Sequence, residues 1–334
     1  MSLITDPTAI DPDARGGVAR RLLRIAREQA IILIFGIMFI VLAFSSPVFL
    51  RPVNLLNIGD QWAPLMIIAC GMTVVLITGA FDLSVGSIYS LSGVLGAIAA
   101  NVTENAFLGV IAGVIVGGLC GLLNGLLVAF GRINAFIVTL ATSLILAGLS
   151  LWITQGKLVA VSVPGFDLLG RDDLLGIPYS IWSLVLVGAV SWVLLASTTF
   201  GRYVYATGGN RAAARMAGVP VSQVTTVAFV IAGLTAGLAG VIASSQVGSA
   251  QAAGSASAAA LPLLAIAGAV LGGTSIYGGL GAIWRTILGV GVLALVGNAF
   301  NLLSVDNNVQ QIVQGCIVLG AVGVDSWVRY RQRS

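Results

Sequence analysis

Long stretches without a charged residue constrain the fold of this chain more than any other feature. Nine such stretches, each of 18 residues or more, lie between Gln29 and Val324, and only 8% of all residues are charged. An α-helix needs about 20 residues to cross the hydrocarbon core of a bilayer. Eight of the stretches have room for one span each, whereas Met216–Trp284, with 69 residues, has room for two or three.

The distribution of basic residues decides how many spans the longest stretch holds. With two spans there and a cytoplasmic N terminus, 13 of the 16 basic residues lie inside, as the positive-inside rule favours. A third span would carry Arg285 to the outside and break this asymmetry. The residues assigned to the inside are Arg15, Arg20, Arg21, Arg24, Arg27, Arg132, Arg202, Arg211, Arg215, Arg285, Arg329, Arg331 and Arg333, and those assigned to the outside are Arg51, Lys157 and Arg171.

We therefore predict an all-α, polytopic membrane helix bundle of about ten transmembrane helices with both termini in the cytoplasm. Residues 1–28 are expected to form a partly disordered cytoplasmic tail, residues 29–328 the transmembrane domain, and residues 329–334 a basic cytoplasmic tail. The basic start followed by an apolar stretch could also be a signal peptide. We favour an uncleaved span, because no small-residue cleavage site follows it.

The residue inventory excludes several kinds of chemistry. The chain has no histidine, which removes imidazole metal ligands and histidine-based catalysis, and its three cysteines all lie in apolar stretches. No GxxxxGK[ST] phosphate-binding loop occurs, and the lone lysine, Lys157, is assigned to an outer loop. We predict no catalytic residues, no metal, no cofactor and, because the basic residues are dispersed, no nucleic-acid partner.

Acidic residues indicate where energy for transport could enter. Ion-coupled carriers need ionisable side chains within the membrane. Asp60, Glu104, Asp306 and Asp325 fall at predicted span ends, and Asp82 alone lies between two spans without an obvious aqueous loop. One carboxylate without a histidine makes a poor proton relay. If the chain transports uphill, its energy is expected to come from a partner protein.

The segment around Asp82 is typical of a helix interrupted in or near the membrane. Gly79 can end one helix, and Asp82 or Ser84 can cap the next. Two interpretations stay open at this point. The carboxylate could be a helix cap and nothing more, or it could contribute to a substrate path or gate.

Other polar and aromatic residues in or beside the spans are further candidates for a substrate path. Side-chain amides can hydrogen-bond the hydroxyl groups of a sugar or polyol, but they bond neighbouring helices equally well. An aromatic ring could stack on a sugar or serve only for packing. The candidates are Asn124, Asn134, Phe136, Gln246, Asn298 and Asn301. Separately, Gly113, Gly117, Gly121 and Gly125 recur every four residues and predict a close helix–helix approach.

The polar segment Thr199–Gln223 is unusual in so apolar a chain. We interpret it as a loop, a Gly-Gly-Asn turn, and a short helix from Arg211 to Met216 that Gly218 and Pro220 end. The charge count assigns this segment to the cytoplasm. A membrane protein that keeps one structured polar segment on one side usually uses it to contact a partner.

Four ordered blocks of sequence resemble one family. Residues 71–87, residues 124–140, Phe200–Asn210 and residues 271–279 are similar to the permease subunits of ribose- and xylose-type ABC sugar importers, within the branched-chain amino acid/ribose-type permease superfamily. The blocks occur in the order found in that family, and the resemblance as a whole spans residues 45–327. Four blocks in order are specific, whereas any one alone would be a weak signal.

The resemblance implies a set of partners and a location. These are ABC ATPase subunits on the cytoplasmic side, an extracytoplasmic sugar-binding protein, and a second permease copy in a homodimer or a related heterodimer, all around a multi-pass subunit of the bacterial plasma (inner) membrane. It also implies that the cytoplasmic segment seats in a cleft of the ATPase. The residues expected to form this coupling loop are Gly201, Arg202, Gly208, Gly209, Asn210, Arg211, Ala212, Ala213, Arg215 and Gly218.

One departure from the family pattern bears on substrate passage. Family members usually carry acidic residues ahead of the Leu-Gly-Gly-Thr block, where this chain has Pro262 and Leu264. A different substrate and a non-identical permease partner are both open explanations.

The expected function is the permease subunit of an importer for a monosaccharide or polyol, with an outer mouth built from loops such as Gln155–Tyr179 and Ser304–Asn308. The main alternative is a stand-alone facilitator or secondary carrier for a small polar solute, in which Asp82 could bind a cation. An exporting ABC subunit fits the motifs less well. A membrane enzyme is disfavoured because no nucleophile–base pair or metal cluster is apparent.

Overall fold

The computed structural model describes residues 31–252, 256–306, 308–317, 319–320 and 323 of the 334-residue chain. The tails predicted at residues 1–28 and 329–334 lie outside the described residues. The helices are α1 (Ile31–Ser45), α2 (Pro52–Ile77), α3 (Val85–Thr103), α4 (Ala106–Ala129), α5 (Ala135–Thr154), α6 (Leu168–Arg171), α7 (Tyr179–Ser197), α8 (Thr199–Gly209), α9 (Arg211–Met216), α10 (Val221–Val247), α11 (Ala256–Leu271), α12 (Ile283–Leu302) and α13 (308–317).

Short strands occur only at the turns of this helical bundle, within the part of the chain that the structure describes. Strands β1 (Val159–Ala160) and β4 (Ser249–Ala250) pair antiparallel, as do β2 (Asp173–Leu174) and β3 (Ile177–Pro178). The all-α polytopic architecture is therefore confirmed. Seven helices are long and apolar enough to cross a membrane: α2, α3, α4, α5, α7, α10 and α12. Helices α1, α11 and α13 lie within the other three predicted spans, and the count of ten stays a prediction.

Helix α2 forms the centre of the bundle because it is apolar on every side. Every residue from Ala63 to Ile77 is buried. A helix that is hydrophobic all round is stable only when other helices surround it, and α7, α10, α11 and α12 pack against this one.

Helices α4 and α10 meet along a seam of glycines. A Cβ atom added at Gly121 would stand 2.3 Å from the carbonyl oxygen of Phe229, and one added at Gly233 would stand 2.2 Å from that of Gly117. The four-residue glycine repeat of α4 therefore lies against α10, as the sequence predicted. Backbones this close gain van der Waals contact that larger side chains would prevent.

The two ends of the bundle differ in charge and structure. Arg132, α8 and α9 lie together at one end, where the Ser222 hydroxyl of α10 donates to the Ala129 carbonyl oxygen of α4 and Tyr205 bonds the loop before α12. We call this the basic end. The opposite end carries β1 to β4 and Arg171, and we call it the loop end.

The structure corrects one local prediction. Thr199–Gly209 is an α-helix and not a loop. The hydroxyl oxygen of Thr198 accepts a hydrogen bond from the Gly201 backbone N–H and caps the helix start. Gly201, Val204 and Thr207 are buried at three-residue spacing, so that one face of α8 packs on the bundle while the other faces out.

Candidate functional site

The break between α2 and α3, residues 78–84, is built as two separate helix ends. At the end of α2, Gly79 has a φ of 79° and its N–H donates to the Leu76 carbonyl oxygen. The Ala80 N–H donates to the Val75 carbonyl oxygen, which completes a Schellman-type end. Glycine takes this left-handed conformation without the Cβ strain that other residues incur. The sequence prediction that Gly79 ends one helix agrees with this geometry.

Asp82 is fully buried in this break. One of its carboxylate oxygens, Oδ1, accepts hydrogen bonds from the backbone N–H (2.8 Å) and the hydroxyl (2.5 Å) of Ser84. The Ser84 hydroxyl in turn accepts a hydrogen bond of 2.7 Å from the side-chain amide of Asn124 on α4. Three of the predicted path residues therefore form one hydrogen-bonded chain that joins the break to α4.

Two buried oxygens of this chain have no hydrogen-bond partner among the described residues. They are Oδ2 of Asp82 and Oδ1 of Asn124, both next to the same Ser84 hydroxyl. An unsatisfied buried polar atom costs on the order of 1–3 kcal/mol. Such groups concentrate where strain or function offsets that cost. The break is thus a functional candidate on structural grounds as well as by sequence.

Helix α9 follows α8 after a single residue, Asn210. Its side-chain oxygen accepts hydrogen bonds of 3.0 Å from the backbone N–H groups of Ala212 and Ala213, so it caps α9. Gly218, with a φ of 81°, ends the helix. The predicted helix Arg211–Met216 agrees with the structure in both bounds.

The outer face of α9 is basic and exposed. Arg211 and Arg215 are exposed, and so is the Met216 side chain, with 85% of its surface accessible. Partial desolvation and the charge of Arg215 both lower the pKa of Arg211. Two arginines that repel each other beside an exposed methionine suit a partner surface that supplies carboxylates around an apolar pocket.

Three short segments, two of them turns and one the C-terminal end of α8, meet in a contact that we call the glycine junction: residues 77–79, 277–279 and 207–209. A Cβ atom added at Gly208 would stand 1.7 Å from the Ile77 carbonyl oxygen and 2.5 Å from the Gly279 nitrogen. The Gly279 N–H donates to the same Ile77 carbonyl oxygen at 2.9 Å. The junction therefore fastens α8 to the end of α2 and to the loop between α11 and α12.

A second attachment of α8 lies beside the junction. The Tyr205 hydroxyl donates to the Gly281 carbonyl oxygen at 2.8 Å. Burial raises the pKa of Tyr205, and the nearby positive charge of Arg285 opposes that shift in part. The guanidinium of Arg285 stacks 5.1 Å from the ring centre of Trp284. Together with the junction, these contacts attach α8 to the end of α2 and to the loop between α11 and α12.

Gln246, another predicted path residue, lies at the loop end. Its amide donates to the backbone and side-chain oxygens of Asp60, at 2.9 and 3.0 Å. The guanidinium of Arg171 donates to the carbonyl oxygens of Gln246 and Val247, the last exposed carbonyls of α10. These bonds tie the loop before α7 to the end of α10.

The remaining predicted path residues are dispersed. Asn134 is exposed and caps α5 by accepting from the Phe136 N–H, and half of the Phe136 side chain is exposed. Asn298 exchanges two amide hydrogen bonds with Asn54, at 2.9 and 3.3 Å. Asn301 is exposed. Only Asp82, Ser84 and Asn124 come together. Within the described residues, no three His, Cys, Asp or Glu side chains converge as metal ligands would.

Comparison with known proteins identifies the family. Residues 54–322 match the family described as branched-chain amino acid transport system / permease component. The chain belongs to this family. Among curated relatives, the permease is 40% identical to the L-arabinose transport system permease protein AraH of Escherichia coli strain K12, with 93% of each chain covered. It is 43% identical to the ribose import permease protein RbsC of Bacillus subtilis strain 168, covering 86% of this chain and 89% of the relative. No solved structure gave a significant match.

Sequence reasoning missed three features of the permease. One is Tyr205, which fastens α8, and another is the set of turns that form the glycine junction. The third is Arg171, which caps α10. The glycines at 208, 278 and 279 were a visible signal, but nothing in their spacing says that distant turns meet. Arg171 had been used only to count charges.

Proposed function

We propose that the permease is the membrane-spanning subunit of an ATP-driven ABC importer for a monosaccharide, with a polyol as the wider possibility. Membership of the family and the curated relatives, whose names specify arabinose and ribose, support this assignment. A pentose is the first substrate to test. ATP is hydrolysed by separate subunits, and the chain is a multi-pass protein of the bacterial inner membrane.

The proposed topology has ten spans, with α8, α9 and both termini in the cytoplasm. Arg132, Arg202, Arg211, Arg215 and Arg285 lie at the basic end, whereas Arg51, Lys157 and Arg171 lie toward the loop end, in line with the positive-inside rule. The loop end would then face the extracytoplasmic side and the sugar-binding protein.

The proposed coupling element is the segment from Gly201 to Gly218. Its capped helix α9 offers Arg211 and Arg215 to an ATPase subunit, while α8 is held by the glycine junction and Tyr205. The junction is the observation that carries the proposal, because it connects the exposed segment to the end of α2 and to the loop between α11 and α12. A push on α9 would tilt α8 and move the break at Asp82 and the loop between α11 and α12 together.

A second permease copy completes the proposed assembly, because importers of this class need two membrane subunits for two ATPases. Helices α4, α5 and α7 keep most of their large apolar side chains exposed, so they offer lipid or a second copy a broad surface. The subunit composition of the purified complex distinguishes a homodimer from a heterodimer.

Charge reversal on α9 tests the coupling proposal. We expect the Arg211→Glu/Arg215→Glu double variant to lose the ATPase subunit during purification and to lose binding-protein-dependent uptake, because two attractive contacts become repulsive. The control is Lys157→Glu, an exposed charge reversal near the loop end, which should keep the ATPase bound. Recovery of an intact complex with the double variant would refute the docking role of α9. The same result after deletion of Gly209–Ala214 would refute it independently.

The stand-alone carrier is the alternative that the same preparation tests. The relatives favour an importer with partners, and the orphan carboxylate oxygen of Asp82 is the one observation that a cation-coupled carrier would use. Uptake into liposomes by the purified chain alone, driven by a sodium or proton gradient, would establish the carrier. The importer predicts uptake only when ATPase, ATP and binding protein are all present.

A further inference from the structure

A cleft of about 220 Å³ opens between α3, α10 and the paired strands β1 and β4. At about 30 Å³ per water molecule this is room for roughly seven waters, which suits one small ring. Close packing shapes its floor, because a Cβ atom at Gly240 would stand 2.0 Å from the Tyr89 carbonyl oxygen. Its lining includes Tyr89, Ser90, Ala243, Ser244, Ser249 and Gln251.

The lining of the cleft combines hydroxyl and amide groups with apolar side chains. None of the described residues that line it is Asp, Glu, Lys or Arg. Tyr89 and Ser90 bring hydroxyl groups to the cleft, and the Ser244 hydroxyl donates to the Gly240 carbonyl oxygen and keeps acceptor capacity. A hydroxyl both donates and accepts, which matches the hydroxyls of a sugar, and an aromatic ring adds an apolar face.

The absence of charged lining discriminates between ligand classes. An amino acid is a zwitterion, and its ammonium and carboxylate groups lose solvation on entering a cleft without counter-charges. A neutral polyhydroxy ligand has no such cost. The cleft therefore fits a sugar better than the branched-chain amino acids in the family's description.

A row of hydroxyls connects the cleft to the buried break. Ser84, Ser87 and Ser90 follow at three-residue spacing, which puts them along one side of the start of α3. Ser84 bonds Asp82, and the Ser87 hydroxyl lies 2.9 Å from that of Ser143 on α5. Tyr89 lies only about 8 Å along the helix from Ser84, at 1.5 Å per residue. The hydroxyl groups of Ser84, Ser87 and Ser90 thus lead from the buried Asp82 at one end to the cleft at the other.

We infer that this cleft is the first site within the permease for the neutral monosaccharide, held by the hydroxyls of Tyr89 and Ser90. The inference rests on the proposed function and adds the location and the ligand chemistry. It moves the substrate contacts from the amides of Asn134, Gln246 and Asn298 to one face of α3 and the facing side of α10.

Uptake by the reconstituted complex of permease, ATPase and binding protein tests the inference. The probes are radiolabelled L-arabinose, D-ribose and other monosaccharides, with L-leucine for comparison. Ala243→Leu fills the cleft and is expected to lower sugar uptake more than tenfold. Tyr89→Phe keeps the ring and removes the hydroxyl, and the loss of one hydrogen bond predicts about a fivefold decrease. Ser92→Ala is the matched control, because its buried hydroxyl has no partner among the described residues and does not line the cleft.

The outcomes separate the inference from the proposed function. If the wild-type complex takes up none of the sugars, the proposed function fails and the inference fails with it. If wild-type uptake is normal and both cleft variants match it, the inference alone is overturned. Basal ATPase activity of each variant reports assembly. Should Ala243→Leu fail to assemble, Tyr89→Phe decides, because it leaves the packing volume unchanged, and wild-type uptake by it overturns the inference.

Discussion

Replacement of Gly208 by alanine tests the glycine junction directly. The new Cβ atom would stand 1.7 Å from the Ile77 carbonyl oxygen, whereas real Cβ contacts need at least 3.0 Å, so α8 and the end of α2 must separate by at least 1.3 Å. Both partners at this contact are backbone, so neither can rotate away. The separation also strains the hydrogen bond from the Gly279 N–H to the same oxygen.

The magnitude follows from the two contacts that are lost. Overpacking costs about 1–3 kcal/mol and a lost backbone hydrogen bond about 0.5–1.5 kcal/mol, while alanine returns up to about 1 kcal/mol of helix propensity. We expect a net loss of about 1–4 kcal/mol in the free energy that holds α8 to the bundle. Because about 1.4 kcal/mol is a factor of ten, uptake per ATP hydrolysed should fall about fivefold or more while the ATPase remains bound.

Thermal unfolding and transport coupling are the two measurements that test this prediction, and Gly209 provides the control substitution. Thermal unfolding can be followed by the reaction of a thiol dye with Cys70, which is fully buried in α2. Gly209→Ala is the steric control, because nothing lies within 4 Å of its added Cβ, and it should unfold at the wild-type temperature or slightly above. Equal unfolding temperatures and equal coupling for Gly208→Ala and the wild-type permease would refute the rigid junction.

Three further substitutions test the other contacts. Asp82→Ala should destabilise the permease by about 1–3 kcal/mol, because the backbone N–H and the hydroxyl of Ser84 lose their acceptor. Asp82→Asn keeps an acceptor oxygen and should destabilise it less. Equal unfolding temperatures for the two variants would contradict this. Gly121→Ala, with its Cβ 2.3 Å from the Phe229 oxygen, should cost about 1–3 kcal/mol, whereas Gly148→Ala on α5 meets open space and should leave thermal unfolding unchanged. Asn210→Ala removes the cap of α9, worth about 1 kcal/mol, and should weaken ATPase binding about fivefold in a titration, with Asn210→Asp restoring it; unchanged binding by the alanine variant would show that the cap is not needed.

Local features of the fold were readable from the sequence because their causes are local. Gly79 and Gly218 end helices through their own backbone conformations, and Arg211–Met216 is bounded by a cap and a glycine. Helix α8 was missed because its cap, Thr198, lies one residue before the polar segment, and because two adjacent glycines suggested a loop.

Long-range contacts could not be read in the same way. Asn124 bonds Ser84 across 40 positions of the sequence, and Gln246 bonds Asp60 across 186. An amide side chain can equally well bond water, cap a helix end or bond a neighbouring helix, so its type does not identify its partner. Sequence reasoning therefore gave eight path candidates without saying which of them converge. The cleft beside Tyr89 depends on the close approach that Gly240 permits, and a lone glycine within an apolar stretch gives no hint of its partner.

Helix α10 connects the basic end of the permease to its loop end. Its 27 residues span about 40 Å, and it begins just after the turn that ends α9. At its far end, the Arg171 guanidinium donates to the last two carbonyl oxygens of the helix. The Ser245 hydroxyl donates to the Phe166 carbonyl oxygen in the loop that also carries Arg171. No proline interrupts its interior, so α10 is one continuous helix that connects the two ends of the bundle. We therefore expect a displacement imposed at α9 to be carried along α10 to the loop end, so that the two ends of the bundle move together.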